Sequence, residues 1–120
     1  MTTVSTILAS NLSFVFNQRD GKKRMAALKK LWAPDAVLWS TEGTYLGLKE
    51  IERAVADLLR RYPEFDFALS GEVDEIPEAA RVRWSFGAHD SPPAITGMDV
   101  VLVSKGRIAA MYRFLDGTGL

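Results

Sequence analysis

The feature that most constrains this chain is a change of hydrophobic period at Pro63, from helical spacing before it to strict alternation after it. Val4, Ile7, Leu8, Leu12 and Val15 recur three and four residues apart, which predicts a first helix ending near Gln18 and broken by Asp20-Gly21. Met25, Leu28, Leu31 and Trp32 repeat the pattern over a second, shorter helix that Pro34 stops. Its other side carries Lys22, Lys23, Arg24, Lys29 and Lys30, which reads as a solvated face, with cations favoured late in the helix, or else as a site for an acidic partner or a phosphate. Ile51, Ala54, Val55, Leu58, Leu59 and Tyr62 mark a third helix with the cleanest stripe. Between the second and third, Asp35 to Ser40 reads as a short strand, followed by a Glu42-Gly43 turn and a second short strand around Tyr45.

Beyond Pro63, Phe65, Phe67 and Leu69 alternate with polar or small residues, as do Val82, Trp84 and Phe86. Ile95 to Val103 and Arg107 to Leu115 make two further strands joined at Ser104-Lys105-Gly106, and His89 to Pro93 is the loop that feeds them. Helices segregated to one side of an antiparallel sheet define an α+β domain. No linker, repeat or low-complexity tract divides residues 1–120, so one domain is expected.

Composition removes whole classes of function. Lys and Arg total 15 and Asp and Glu total 15, so no basic surplus points to nucleic acid or to an anionic membrane. With no cysteine, a disulfide framework, a thiolate zinc site and a cysteine nucleophile are excluded, and one histidine cannot build a multi-histidine metal site. No phosphate loop, nucleophile elbow or dinucleotide fingerprint is present, and no cofactor is expected. The first twenty residues lack the basic start and continuous apolar run of a secretory signal, and no stretch nears 18 apolar residues. A cytoplasmic protein is the expectation.

Leu31-Trp32-Ala33-Pro34-Asp35-Ala36-Val37, then Gly47 with Ile51, then Gly97-Met98-Asp99-Val100-Val101, Gly106-Arg107-Ile108 and Tyr112 to Asp116 stand in an order and spacing that covers nearly the whole chain. In these segments the sequence resembles the nuclear transport factor 2-like (cystatin-like) fold, which includes ketosteroid isomerases and SnoaL-like polyketide cyclases. The resemblance implies a curved sheet wrapping three N-terminal helices into a cone, an apolar cavity inside it, and a homodimer through the sheet's outer face. Such folds host enzymes, binding modules and adaptors alike, so the chemistry has to come from the site.

Asp99 interrupts an otherwise apolar strand, where a charge is expensive unless paired. Either it has a partner, with Arg113, Arg83 or Tyr112 as candidates, or it faces a ligand. In ketosteroid isomerases the matching strand carries a protonated Asp that donates to the substrate oxyanion, so the resemblance offers that role to Asp99. The hairpin decides its neighbour. A two-residue loop sets Asp99 opposite Tyr112, whereas a three-residue loop with a Gly bulge sets it opposite Met111. Aligned through Trp32-Ala33-Pro34-Asp35-Ala36, the family's general-base Asp falls on Ser40 and its helix-one Tyr on Phe16. Neither can perform those tasks, which argues against steroid isomerisation by that route. His89 is the one histidine, a residue type suited to acid or base work, and could take that role at a cavity mouth; as a lone loop histidine it could equally be solvated. Tyr45 is a third candidate for the chemistry, and Glu42 could reach back as a base from its turn. The bulky residues Phe16, Trp32, Trp39, Trp84, Phe86 and Met111, with Ser40, Tyr112 and Arg113, are the candidate pocket lining.

Three readings follow from these residues. The first is a pocket for a small hydrophobic molecule with Asp99 in contact with it, extending to acid-base chemistry of the isomerase, cyclase or dehydratase kind. The second is a binding module without turnover. The third is a dimeric interaction protein whose cavity is filled by its own aromatic side chains.

Overall fold

The computed structural model describes residues 3–117. Its elements are α1 (Val4–Asn11), continued by a π-helical turn at Leu12–Phe16, α2 (Gly21–Leu31), β1 (Trp32–Ser40), β2 (Gly43–Leu46), α3 (Gly47–Arg61), β3 (Phe65–Ile76), β4 (Ala79–Ala88), β5 (Ile95–Ser104) and β6 (Arg107–Leu115). The six strands form one curved sheet in the order β2-β1-β6-β5-β4-β3, with the helices packed on its inner face. No helix among the described residues is long and apolar enough to cross a membrane.

Two expectations are corrected. The second helix ends at Leu31, so Trp32 opens β1, and Pro34 lies inside the strand instead of stopping the helix. Proline disfavours helical backbone at the preceding residue and brings no N–H to a ladder. The pairing of β1 with β6 accordingly shifts register between Trp32 and Val37, where Pro34 sits. The sheet is also not wholly antiparallel, because β1 and β6 run parallel while every other pairing is antiparallel.

Side-chain caps and clamps tie the helices to the sheet. The Asp20 carboxylate accepts from the backbone N–H groups of Lys22 and Lys23 and starts α2. Asn17 both donates to the Phe67 carbonyl and accepts from the Phe67 N–H at 2.8 Å, standing in for a neighbouring strand at the β3 edge. Arg24, almost wholly buried, is paired with Glu52 across α2 and α3. These contacts fix Phe16, at the end of the π-helical turn, against Phe67 of β3.

The β5–β6 hairpin positions the site. Lys105 and Gly106 both have positive φ, 53° and 78°, as a two-residue turn of the mirror type requires, and Ser104 pairs with Arg107. The register then slips by one residue, since Val103 faces Ile108 but Leu102 faces Ala110. Ala109 is the extra residue of a bulge. Asp99 therefore lies opposite Arg113, and neither of the two registers considered for the hairpin is the one formed. Because alternate side chains point to opposite faces, the slip turns Met111 and Arg113 inward and Tyr112 and Phe114 outward.

Candidate functional site

Between the inner face of the sheet, α3 and the π-helical turn lies a cavity of about 70 Å³. Its apolar wall includes Phe16, Leu38, Val55, Leu58, Phe67, Trp84, Phe86 and Ile95, and its polar members are Ser40, Glu42, Tyr45, Arg61 and Arg113. Strand alternation supplies Leu38 and Ser40 from β1. The broad stripe of α3 supplies Ala54, Val55 and Leu58.

Arg113 is the buried charge of the cavity lining. Its guanidinium carbon lies 4.3 Å from the ring centroid of Phe16, 4.7 Å from that of Trp84 and 5.0 Å from that of Phe67, so three aromatic groups surround one cation. Its Nε and Nη2 donate to the two oxygens of Asp99 at 2.8 and 2.7 Å, and both side chains are only 8% exposed. Trp84 Nε1 donates to the same carboxylate at 2.9 Å. Three donors thus converge on Asp99, and none of them can accept a hydrogen bond. The carboxylate is an acceptor in every contact it makes, which leaves the oxyanion-donor role suggested for it without a donor. Asp99 stands behind Arg113 and does not line the cavity.

Arg113 lines the cavity, and the edge of its guanidinium turned from Asp99 is the unused one. Of the five N–H groups of an arginine, two are spent on Asp99. Nη1 has no hydrogen-bond partner among the described residues and is not closed off from solvent. A cationic donor held rigidly in an apolar recess suits an oxygen acceptor on a ligand.

The sequence-predicted residues divide between this place and others. Phe16, Ser40, Tyr45, Trp84, Phe86 and Arg113 are brought together around the cavity. Trp32 and Met111 are fully buried in the core instead, with Trp32 Nε1 donating to Asn11 at 2.7 Å. Trp39 and Tyr112 lie on the outer face of the sheet, stacked with ring planes 4° apart. His89 is exposed in the β4–β5 loop, 3.3 Å from the equally exposed Asp90, and outside the cavity. Arg61, Ala54, Leu58, Phe67 and Leu115 were not among the expected lining. The width of the α3 stripe was the available signal for Ala54 and Leu58, and the alternation of β3 for Phe67.

A second, more open groove of about 330 Å³ runs over the outer face beside Ala79 and Val100. Of its charged groups, Asp74 and Arg81 are paired with each other, and these two and Glu75 are solvent-exposed. The inner cavity, with its buried and incompletely used cation, is the better candidate.

Known proteins share this architecture. Among curated proteins no sequence match is found. A protein from Agrobacterium tumefaciens, provisionally named an isomerase of the SnoaL-like family, is 26% identical, with 93% of this chain and 96% of that one covered and a TM-score of 0.86. A Sinorhizobium meliloti protein provisionally named a polyketide cyclase is 18% identical, covering 89% and 92% with a TM-score of 0.72. A cystatin-like fold protein of unknown function from Methylobium petroleophilum is 15% identical, covering 95% and 76% with a TM-score of 0.74. The sequence model of the SnoaL-like domain matches residues 15–111, a span that runs from the π-helical turn to β6 and takes in Phe16, Trp84 and Asp99. The chain belongs to the SnoaL-like domain family.

Proposed function

We propose that this protein binds a small, mainly apolar molecule in the inner cavity, with Arg113 as its polar anchor and Asp99 as the residue that positions Arg113. The observation that carries this reading is Arg113, a cation lining an apolar cavity whose Nη1 has no hydrogen-bond partner among the described residues. The isomerase name of the Agrobacterium relative favours an extension to acid-base chemistry. In that extension Arg113 holds negative charge developing on a ligand oxygen, and Asp99 serves through Arg113. Glu42 is the carboxylate that shares the cavity with it.

The test is ligand-linked stability. A molecule that binds only the folded state stabilises it by about 2.7 kcal/mol at a hundredfold excess over its Kd. Thermal unfolding across a panel of small apolar compounds is expected to show such stabilisation for at least one member. Ala54→Trp, which fills the cavity from α3, is expected to abolish it while the protein remains folded. Equal stabilisation in that variant would place the binding elsewhere.

We also propose a homodimer through the outer face of the sheet. Support comes from the apolar surface there, where Trp39, Leu102 and Phe114 are 44%, 41% and 57% exposed beside Tyr112 and Val100. Faces of this kind on small proteins mark interaction sites. Sedimentation equilibrium is expected to give twice the 13.3 kDa chain mass. Phe114→Asp is expected to weaken association about 30-fold or more, as loss of a central interface side chain does. A monomeric wild type at tens of micromolar would remove the proposal.

A further inference from the structure

The wall of the cavity is unevenly held. The strands that supply Leu38, Phe67, Trp84 and Phe86 are bonded into the sheet, and α3 is anchored by the fully buried Ile51 and by the pairing of Glu52 with Arg24. Phe16 comes instead from the π-helical turn, where the Asn17 N–H reaches five residues back to the Leu12 carbonyl at 2.9 Å. Such a turn carries one residue more than an α turn and is found mostly as a single insertion, frequently at functional sites.

That extra residue decides which phenylalanine faces inward. Continued as an α-helix, α1 would bring Phe14, three residues after the buried Asn11 and seven after the buried Ile7, onto its buried stripe. Phe16 would fall at the stripe's margin. The π turn does the reverse, since Phe14 is 55% exposed while Phe16 is buried with its ring against Arg113. Asn17, through its two hydrogen bonds to the Phe67 backbone, holds the turn in this form. The segment thus carries an apolar ring for either register, and leaves one of them in water.

Volume supplies the reason to change. Ligand pockets usually measure roughly 300 to 1,000 Å³, and about 150 Å³ suffices for benzene. The present cavity of about 70 Å³ falls short of both. Withdrawing Phe16 adds the room of a phenyl ring and uncovers one face of the Arg113 guanidinium.

We infer that Leu12–Phe16 is a gate on the inner cavity, closed in the π form and opened by a slip to an α form in which Phe14 takes the buried stripe and Phe16 leaves the wall. The inference rests on the reading of the cavity as a ligand site.

The gate is tested by nitrogen-15 relaxation dispersion, which reads the microsecond-to-millisecond range of helix register shifts. The wild type is expected to show exchange at the amides of residues 12–17 and at the Phe67 N–H that Asn17 holds, with the open form in about 1% of molecules or more. Phe14→Gln puts an amide where the α form would bury a ring. Deleting Ser13 makes an unbroken α-helix with Phe16 seven residues after the buried Leu8, fixed inward. Both variants are expected to quench the exchange. Naphthalene, followed at the indole Nε1–H of Trp84 in the cavity wall, is expected to bind the wild type and to bind either variant about tenfold more weakly or worse, because apparent affinity falls with the open fraction. No exchange in the wild type, or undiminished exchange in either folded variant, would overturn the gate whatever binds. Quenched exchange with naphthalene held equally by wild type and variants would overturn it too, by showing that the slip does not control entry. If the wild type exchanges but naphthalene leaves the Trp84 signal unmoved, the ligand-site reading fails and takes the gate with it. Should the deletion variant not fold, Phe14→Gln carries both comparisons.

Discussion

Asp99→Asn is expected to lower the free energy of unfolding by about 3 kcal/mol at neutral pH, read as a lower urea midpoint at an unchanged slope. The substitution leaves the Arg113 guanidinium among Phe16, Phe67 and Trp84 without a counter-charge, in a place where its side chain is only 8% exposed. Removing one member of a buried pair costs roughly 3 to 5 kcal/mol because the other charge stays desolvated. The lower end applies here, since the amide oxygen of Asn can still accept from Trp84 Nε1 or from Arg113. A variant as stable as the wild type, or more so, would mean that the carboxylate is kept at a cost for some use in the cavity. The pair would then not be the anchor described above.

Gly97→Ala is expected to destabilise by a similar amount, about 3 kcal/mol, at the upper end of overpacking effects. Gly97 pairs with Trp84 on one side and Leu115 on the other, and the indole of Trp84 lies across it. A Cβ placed on Gly97 would fall 2.8 Å from Cε2 of Trp84 and closer still to the Phe114 carbonyl oxygen. Neither neighbour is the loose end of a flexible side chain. One is strand backbone, and the other is a ring held by its bond to Asp99. Relief requires the indole to move, so the Trp84 Nε1–H resonance is expected to shift along with the loss of stability. A variant within about 0.5 kcal/mol of the wild type, the range of ordinary surface changes, would show that β5 can yield at this point.

Much of the architecture is legible in the hydrophobic periods. The stripes at Val4 to Val15 and Ile51 to Tyr62 and the alternation around Phe67 and Trp84 each correspond to helices or strands, and β6 has the bounds, Arg107 to Leu115, expected after the hairpin turn. The register of the last hairpin was not legible. It depends on the bulge at Ala109, where no glycine or proline announces an extra residue, and that one residue decides whether Tyr112 or Arg113 faces inward. The parallel pairing of β1 with β6 depends on how distant elements meet, which local pattern does not contain.

Within the site, bulk was a poorer guide than alternation. Trp39 and Ser40 are adjacent in one strand and cannot both face the same cavity; Ser40 does, while Trp39 stacks outside on Tyr112. Trp32 and Met111 are large and inward but pack in the core away from the cavity. The oddity of Asp99 in an apolar strand pointed to a partner, and the structure pairs it with Arg113 beside the cavity. What it could not show was that the carboxylate would sit behind Arg113, with Arg113 as the member of the pair that lines the cavity.

The central claim is that Arg113, held by Asp99 and caged by aromatic rings, is the polar anchor of a ligand cavity. The most direct measurement is a proton–nitrogen NMR titration of the wild type with small apolar ketones, following the Nε–H of Arg113 and the Nε1–H of Trp84. Saturable shifts at these two signals, with the Nε1–H of Trp32 and Trp39 unmoved, are the expected result. Shifts confined to Trp39 on the outer face, or no saturable shift at Arg113 for any ketone tried, would contradict it.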